Sequence, residues 1–398
     1  MDEALERGRI GPRSTLWALL GVIILFSWDL AIVQYNYGGN WTALFRTGDL
    51  FPVPTALSDK TLIFSNNHGY DGQFYRYVAL DPFWLDRRLD CFDDVSRRYT
   101  RILVPLAAYL LALGNPNLID STYFVAIGAL IFLGVFWLSR WAVYHGRHPA
   151  WGLAFTMLPS SIISATMMTV DVGVLAIAMG FGYFMERKQY LSVYPLVLLA
   201  PLFREAGALL LAGSCLYLLI QKKRRLCLLM GTAGLPALVW LIYVQIVIRA
   251  ASEGSALPKW LMEQPITGIF RTMVSTFDYG TSAYLNKLIG VFDQLSLAAM
   301  ILAFVLIGLA TLKRPLSPIA LTGGLFIVLA IVVNNSYFWA VPIGYLRPFS
   351  IVFGFLLMLN LSRLLKRFQF WLAWVALTLT SLRTACQFVY TEFFRTVN

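Results

Sequence analysis

One short stretch of the chain contains the residues best suited to chemistry. It runs from His68 to Phe83 and reads HGYDGQFYRYVALDPF. Within it, Asp71 lies between Gly69 and Gly72, and glycines at such places let the backbone and a substrate approach closely. A carboxylate presented in this way can act as a general base, which takes a proton from an attacking hydroxyl group. Asp71 is therefore the first candidate for a catalytic residue.

The neighbours of Asp71 are predicted to bind substrate. They are His68, Tyr70, Gln73 and Tyr75. A structural alternative exists for Asp71, which could be the N-cap of a helix over about 72–80. The two roles are compatible, because a carboxylate at a helix N-terminus stays ionised. Asp81 precedes a proline and is predicted to close this helix, and the alternative for His68 is a turn residue in contact with solvent.

The composition places these residues in a membrane protein. Of the 398 residues, 58% are hydrophobic and 13% are charged, whereas soluble domains carry about 25% charged residues. The formal net charge is +11, but the basic residues form short clusters between apolar runs. This placement is typical of topology signals and contacts with membrane lipids, and it argues against nucleic acid. We expect one all-α polytopic unit over residues 1–398.

The apolar runs predict about eleven transmembrane helices, because a helix needs about 20 mostly apolar residues to cross a bilayer. The predicted spans cover about 15–35, 121–141, 150–168, 171–186, 189–203, 206–220, 226–248, 291–312, 317–334, 346–363 and 369–390. A further apolar run over 102–113 is too short to cross. It is predicted to be an interfacial or re-entrant helix.

Basic residues precede the first span and recur in the connectors on the same side of the membrane. By the positive-inside rule this side is cytoplasmic. The predicted parts are a cytoplasmic tail (1–14), a first outer loop with interfacial helices (36–120), a helical core with two outer-facing hairpins (121–249), a second outer loop (250–290) and C-terminal helices (291–398). In a bacterial inner membrane the outer face, and with it the candidate site, would be periplasmic.

Each of the two hairpins is predicted to place an ionisable residue at its outer turn. Asp171 lies at the first turn, where it could orient an acceptor or cap the following helix. Arg204 and Glu205 lie at the second, where they could form a simple ion pair or line a cavity. A charge at membrane depth costs roughly 2.5–3.5 kcal/mol on insertion scales, so such residues usually face a cavity in the protein.

Arginines near the outer face are candidates for binding phosphate, because the guanidinium fork matches phosphate geometry. Arg347 opens a late span and is the preferred contact, with interfacial snorkelling as its alternative. Arg97, Arg98 and Arg101 precede the short apolar run. They could also bind phosphate, but contact with lipid headgroups is the favoured interpretation for these three.

The order of these elements resembles the GT-C superfamily of integral-membrane glycosyltransferases. The run HGYDGQFYRYVALDPF, followed by RRYTRILVPLAAYLLALG, resembles a bacterial branch of cell-surface glycopolymer enzymes that carry a GYDGQFY motif. The hairpin runs TMMTVDVGVL and PLFREAGALLL are similar to later helices of that branch and of related mannosyltransferases. Many superfamily members carry two adjacent acids in the first outer loop, whereas here Asp71 is flanked by Tyr70 and Gly72.

The resemblance implies a hexosyltransferase that moves a sugar from a polyprenyl-phosphate donor to a glycan or lipid acceptor, with inversion, at the outer face. A lipid-linked donor arrives through the bilayer, which suits a chain whose cytoplasmic connectors are too short for a nucleotide-binding domain. The implied roles are general base for Asp71 with Asp171 beside it, donor-phosphate binding for Arg347, Arg204 and Arg101, and substrate binding for Tyr70, Gln73, Tyr75, Glu205 and His68. No cofactor and no metal ligand is assigned, and a divalent metal ion stays open.

Two other functions stay open as alternatives. The first is a transporter or flippase for a lipid-linked precursor. Transporters usually place polar residues near the membrane midplane and often contain internal repeats, whereas here the polar residues gather at one face and the sequence shows no repeat. The second is a non-catalytic subunit of a membrane assembly.

Overall fold

The computed structural model of the protein describes residues 11–251, 266–274, 277–279, 281–313, 315–333 and 336–394. Most of the predicted cytoplasmic tail and much of the predicted second outer loop therefore lie outside the described residues. The same holds for Asn334 and Asn335, where the predicted span over 317–334 ends.

Helices make up most of the described chain. The first half contains α1 (Gly11–Tyr37), α2 (Thr55–Ser58), α3 (Asp71–Leu80), α4 (Val95–Thr100), α5 (Leu103–Leu111), α6 (Ile119–Tyr144), α7 (Pro159–Met167), α8 (Asp171–Glu186) and α9 (Tyr190–Phe203). The second half contains α10 (Ala208–Ile220), α11 (Arg224–Thr232), α12 (Leu235–Tyr243), α13 (Thr267–Val274), α14 (Ala283–Thr311), α15 (Pro318–Val332), α16 (Ser336–Ala340), α17 (Pro342–Leu346), α18 (Ser350–Leu361) and α19 (Arg367–Val389). Strands β1 (Thr47–Gly48) and β2 (Ile63–Phe64) pair in parallel, with Thr47 opposite Ile63.

Short irregular helices complete the chain. Turns of 3-10 helix cover Trp41–Phe45, Pro149–Met157, Glu205–Gly207 and Arg249–Ala251, and π-helical turns cover Val244–Ile248 and Tyr390–Phe394. The predicted all-α class therefore agrees with the described elements.

Five described helices are long and apolar enough to cross a membrane. They cover Arg13–Tyr37, Ile119–Tyr144, Arg224–Ile248, Ala283–Thr311 and Arg367–Glu392. Shorter apolar helices cover Tyr190–Phe203, Glu205–Ile220, Pro318–Val332 and Ser350–Leu361. The membrane class is thus supported, while the count of about eleven spans stays a prediction.

The predicted span over 150–168 is not one continuous helix. The 3-10 segment Pro149–Met157 and α7 meet at an angle of 62°. Leu158, between them, has an extended backbone with φ −69° and ψ 139°. The reason is Pro159, which disfavours helical geometry in the residue before it and is itself favoured in a first helical turn.

The first outer loop contains the short helices that the sequence predicts. Helix α3 begins at Asp71 and ends at Leu80, with Asp81 as its C-cap, so the prediction that Asp81 closes the helix is confirmed. Helix α5 has 9 residues. At about 1.5 Å per residue it is far too short to cross a bilayer, as predicted.

One helix begins earlier than predicted, inside the segment that was predicted to be the second outer loop. Helix α14 begins at Ala283, whereas the span was expected to begin at 291. Ser282 is its N-cap and accepts a hydrogen bond from the Leu285 amide at 3.4 Å. Because this cap satisfies an amide at the helix start, the helix extends into the segment that was predicted to be a loop.

Helix α6 lies at the centre of the described core. It packs against α1, α8 and the 3-10 segment Pro149–Met157, and α3 packs against both α5 and α6. Gly72, in the first turn of α3, permits this close approach. A Cβ atom at that position would lie 2.3 Å from the carbonyl oxygen of Met167. The outer loop therefore rests directly on the helical core.

Candidate functional site

The start of α3 positions the carboxylate of Asp71. Tyr70 occupies the N-cap position with an extended backbone, and its side chain forms no capping hydrogen bond. Asp71 is the first helical residue, so the alternative that made it the N-cap is wrong. A negative charge in the first turn still interacts favourably with the helix dipole.

Two arginines hold the two oxygens of Asp71. Its Oδ1 lies 2.8 Å from Arg98 Nη1, and its Oδ2 lies 2.8 Å from Arg347 Nη2. Arg347 also donates from Nη1 to the hydroxyl of Tyr70 at 3.1 Å. Residues from the predicted first outer loop and from the C-cap of α17, 249 or more positions apart in the chain, thus meet at one carboxylate.

The electrostatics of this contact keep Asp71 ionised. Burial raises the pKa of Asp71, but the positive charges of Arg98 and Arg347 outweigh burial and hold that pKa well below its usual range. The carboxylate is therefore charged at neutral pH and able to accept hydrogen bonds. The same arginines make it a weak base as long as both remain in contact with it.

Arg347 connects Asp71 to the first hairpin. Its Nε lies 3.4 Å from Oδ2 of Asp171, and Arg204 forms an ion pair with the other oxygen of Asp171. Asp171 is the first residue of α8, and Val170 occupies the N-cap position. The capping role for Asp171 is therefore wrong, and its side chain instead joins two buried arginines.

The adjacent residues Arg204 and Glu205 do not pair with each other. Arg204 has an extended backbone with φ −162° and ψ 143°, and successive side chains on extended backbone point in opposite directions. Arg204 contacts Asp171, whereas Glu205 accepts a hydrogen bond from the Thr100 hydroxyl at 2.6 Å and contacts Arg101 Nε at 3.1 Å. The simple ion pair is thus replaced by two separate pairs.

Arg98 and Arg101 lie inside the protein and not among lipid headgroups. Arg101 donates from Nη1 to the hydroxyl of Tyr75 at 2.9 Å. Arg98 lies over the ring of Phe74 at 4.7 Å and also forms an ion pair with Asp93 at 2.7 Å. Both arginines are buried, so the favoured headgroup interpretation is wrong for them. Arg97 is half exposed.

One chain of ion pairs joins Arg204, Asp171, Arg347, Asp71, Arg98 and Asp93, and the pair of Arg101 and Glu205 interacts with it through charge. We call these residues together the charged cluster. Its cationic members are Arg98, Arg101, Arg204 and Arg347, and its anionic members are Asp71, Asp93, Asp171 and Glu205. The formal charges of the two sets are equal and opposite. A negatively charged ligand can therefore bind here only by replacing a carboxylate on one of the arginines.

Gln73, which was predicted to bind substrate, holds the loop in place. Gln73 is buried, and its Oε1 accepts a hydrogen bond from the Gly48 amide at 2.9 Å. Its Nε2 donates to the carbonyl oxygen of His68 at 2.7 Å. Gln73 thus ties the turn before α3 to β1, while the side chain of His68 is exposed, as its structural alternative predicts.

Two cavities meet the charged cluster. The aromatic cavity has a volume of about 270 Å³ and is lined by Phe51, His68, Gly69, Tyr70, Asp71, Phe74, Asp93 and Arg98. The apolar cavity has a volume of about 310 Å³ and is lined by Thr100, Pro201, Leu202, Glu205, Ala208, Leu211, Gly234, Ala237, Leu238, Trp240 and Leu241. A third cavity, of about 810 Å³ beside α14, contains no residue of the cluster.

Among the described residues, no group of three or more histidines, cysteines, aspartates or glutamates is placed to hold a metal ion. His68, Asp71 and Asp93 line the same cavity, but arginines contact the two carboxylates. In the described conformation, arginine side chains therefore balance the negative charge of Asp71 and Asp93.

Asp93 is the member of the cluster that the sequence analysis missed. It belongs to the adjacent acidic pair Asp93-Asp94, which was the available signal. Asp94 is the N-cap of α4 and accepts a hydrogen bond from the Arg97 amide at 3.0 Å. Asp93 is left to contact Arg98, whose other partner is Asp71.

No protein-family model, curated protein or solved structure matches this chain. A function therefore has to be inferred from the geometry of the charged cluster together with the motifs described above.

Proposed function

We propose that the protein is an integral-membrane glycosyltransferase with about eleven spans, which transfers a sugar from a polyprenyl-phosphate donor to an acceptor at the outer face of the membrane. One observation carries the proposal. An ionised carboxylate, Asp71, lies on a cavity wall and shares one of its two arginine partners, Arg347, with the buried acid Asp171. A carboxylate base beside arginines is what sugar transfer from a phosphate requires.

In the proposed reaction Asp71 accepts the proton of an acceptor hydroxyl. The hydroxyl oxygen forms a bond to the anomeric carbon of the donor sugar, from the face opposite the phosphate. The bond between that carbon and the phosphate oxygen breaks, and its electron pair leaves with the polyprenyl phosphate. The configuration at the anomeric carbon is inverted, and the arginines stabilise the charge on the departing phosphate.

Arg347 is the preferred contact for the donor phosphate, with Arg204 and Arg101 as further contacts. Because the charges of the cluster are balanced, the phosphate has to take an arginine from its carboxylate. If Arg347 turns to the phosphate, Asp71 loses one of the three cations that lower its pKa, the others being Arg98 and Arg101. The donor would thus make Asp71 a stronger base only when a sugar is ready for transfer.

The apolar cavity is suited to the isoprenoid chain of the donor. Most of its lining is apolar side chain from α9, α10 and α12, and it meets the charged cluster at Thr100 and Glu205. Glu205 contacts Arg101, which would place a phosphate group at the end of a bound chain next to an arginine.

The test uses the full chain in proteoliposomes with a labelled polyprenyl-phosphate mannose donor and a cell-envelope glycan fraction as acceptor. Release of polyprenyl phosphate and label in the glycan are both measured. Asp71→Asn should lower transfer by about 10²–10⁴-fold, the usual contribution of a general base. Asp59→Asn is the matched control, because Asp59 is an exposed acid of the same loop.

Three outcomes decide the proposal. Transfer by Asp71→Asn at nearly the wild-type rate would remove Asp71 from the role of base. Movement of the donor across the bilayer without consumption would favour a flippase instead. Donor that is neither consumed nor moved by the wild-type chain, across a panel of polyprenyl-phosphate hexoses, would contradict the transferase.

The proposed orientation has its own test. In a cysteine-free background, His68→Cys should react with a membrane-impermeant maleimide added from outside intact bacterial cells. Lys222→Cys should react only after the membrane is opened, because the basic connector at Lys222 is predicted to be cytoplasmic. Both side chains are exposed. Labelling of the two positions from the same side would contradict the topology.

A further inference from the structure

The lining of the aromatic cavity is mixed, with aromatic and charged side chains. It differs from the lining of the apolar cavity, which is mostly hydrophobic. Phe51 and Phe74 meet edge to face with ring centroids 5.3 Å apart, and Tyr70 and His68 complete the aromatic wall. The carboxylates of Asp71 and Asp93 and the guanidinium of Arg98 form the polar wall. A ligand in this cavity would meet flat aromatic surface and charged hydrogen-bonding groups together.

Arg98 fixes the positions of the two carboxylates. It contacts Asp71 at 2.8 Å through Nη1, and it contacts Asp93 at 2.9 Å through Nε and at 2.7 Å through Nη2. Burial raises the pKa of Asp93, but its hydrogen bonds and charge interaction with Arg98 lower it overall. Asp71 and Asp93 are therefore two ionised acceptors on one wall that share Arg98. Oδ2 of Asp93 also accepts a hydrogen bond from Arg97 Nη2 at 2.8 Å, and a sugar hydroxyl would take the place of this half-exposed side chain.

This lining has the chemistry of a sugar-binding subsite. A pyranose ring presents apolar C–H groups on its faces, which pack on aromatic rings, and hydroxyl groups at its edge, which donate hydrogen bonds to carboxylates. The volume of about 270 Å³ is just below the roughly 300–1,000 Å³ of cavities that hold drug-sized ligands. It suits one ring and not an extended chain.

The cavity also reaches solvent. His68 and Asp93 line it and are exposed, whereas the lining of the apolar cavity is mostly hydrophobic. An acceptor that carries acyl chains would have to bring them past charged groups to reach Asp71 from this side. A water-soluble glycan would meet no such cost.

We propose that the acceptor is a carbohydrate and that its terminal ring binds in the aromatic cavity, with Asp93 accepting a hydrogen bond from a hydroxyl next to the one that attacks. Asp93 is then a binding residue that selects the acceptor, distinct from the base Asp71. This inference rests on the proposed function, since it names the acceptor class of the same site.

The test measures binding in the absence of donor. The purified full chain in nanodiscs is examined by saturation-transfer NMR with methyl α-D-mannopyranoside, methyl β-D-galactopyranoside, methyl β-D-glucopyranoside and the corresponding 1,4- or 1,6-linked disaccharides. At least one of these probes should bind. Asp93→Asn should weaken binding about tenfold, the size expected for one hydrogen bond to a charged group. Phe51→Leu should weaken it by roughly threefold to tenfold, because the sugar ring loses an aromatic face.

Two matched variants serve as controls. Asp59→Asn removes an exposed acid of the same loop, and Phe83→Ala removes an aromatic side chain that is 44% exposed and lines neither cavity. Both should bind the probe like the wild type. The thermal midpoint of every variant is recorded, and Phe51→Leu is used because it keeps an apolar side chain in the cavity wall.

Failure of this inference can be told apart from failure of the proposed function. If no glycoside binds, or if binding survives both Asp93→Asn and Phe51→Leu, the carbohydrate subsite is overturned. Transfer of sugar to a diacylglycerol acceptor without any glycoside binding would overturn it as well, while leaving the transferase. Glycoside binding with the expected losses, in a chain that never consumes the donor, would support the subsite and contradict the transferase.

Discussion

Helix α3 carries two charged side chains five positions apart, and their surroundings differ. Arg76 is fully buried and donates to both oxygens of Asp120 at 2.7 Å and to the hydroxyl of Thr61 at 2.8 Å. All three nitrogens of its guanidinium group are used by fixed partners. Asp71 divides its oxygens between Arg98 and Arg347, each of which also contacts another carboxylate.

The difference distinguishes a structural ion pair from one that a ligand could rearrange. Arg76 and Asp120 form a closed pair that fastens α3 to the start of α6, and neither residue lines the two cavities at the charged cluster. The partners of Asp71 are shared, so one can leave without stranding a buried charge. A shared ion pair on a cavity wall can exchange partners with a ligand, whereas a closed one resists exchange.

The largest contrast is expected between Asp71→Asn and Asp120→Asn. The first should lower transfer by about 10²–10⁴-fold, with a smaller loss of stability than the second, because Arg98 keeps its contact with Asp93 and Arg347 keeps its contact with Asp171. The second should cost about 3–5 kcal/mol of unfolding free energy by leaving Arg76 buried without its acid. Polyprenyl-phosphate release per folded molecule and the thermal midpoint measure the two effects. If the variants behave alike, the distinction between the two pairs is wrong.

Arg347→Lys should lower transfer by roughly tenfold to a hundredfold, because an ammonium group keeps the charge but loses the fork that spans Asp71 and Asp171. Steady-state kinetics with varied donor should show the loss in kcat/KM for the donor. Arg88→Lys is the matched control, since Arg88 is 38% exposed and pairs with Asp86, outside the cluster. An equal loss in both variants would argue against a specific role for Arg347.

The pH dependence of transfer should report the arginine partners of Asp71. A base must be deprotonated to act, so the rate falls only as the pH falls through its pKa. Because that pKa is held well below the ordinary value, which is near 3.9, the wild-type rate should stay level down to at least about pH 5. In Arg347→Gln one cation is lost, so the acid limb should move to higher pH. An unchanged profile would contradict the partnership.

The same shift has a consequence for stability. A carboxylate with a lowered pKa stabilises the fold above its unfolded pKa, and this stabilisation is lost as the pH falls through the folded value. The thermal midpoint should therefore decline below about pH 4, because Asp71 and Asp93 take up protons there in the unfolded chain before they do so in the folded protein. In Asp71→Asn with Asp93→Asn the decline should be shallower, and an identical slope would assign it to other acids.

The smallest effect is expected at an exposed pair in the same loop. Arg88 contacts Asp86 at 2.7 Å, with side chains 38% and 54% exposed. Such pairs contribute about 0–1 kcal/mol, so Arg88→Ala should leave both the thermal midpoint and transfer within error of the wild type. A large loss of stability or transfer in Arg88→Ala would mean that the N–O distance of an ion pair decides its contribution here more than its burial does.

The sequence was informative where local patterns decide the structure. The apolar runs indicated a helical membrane protein, and the polar stretch with Asp71 and Asp81 predicted α3 closely. The shortness of the run over 102–113 predicted α5. These features depend on residues within one turn or one helix of each other, which is the range over which periodicity and capping act.

The partners of the charged residues were beyond that range. Arg46 and Glu392 pair across 346 positions, and Arg347 donates to Tyr70 across 277. Adjacency was even misleading at Arg204-Glu205, because an extended backbone sends neighbouring side chains apart. Arginines assigned to the lipid surface proved buried, since sequence spacing does not show which acid folds next to them.

Gly72 has a consequence for how the protein could open. Its α-carbon lies so close to the Met167 carbonyl that a methyl group there would be 2.3 Å from the oxygen. The first turn of α3 and the end of α7 are therefore in backbone contact and have to move as one body. The carboxylate of Asp71 belongs to the rigid frame, and not to a lid.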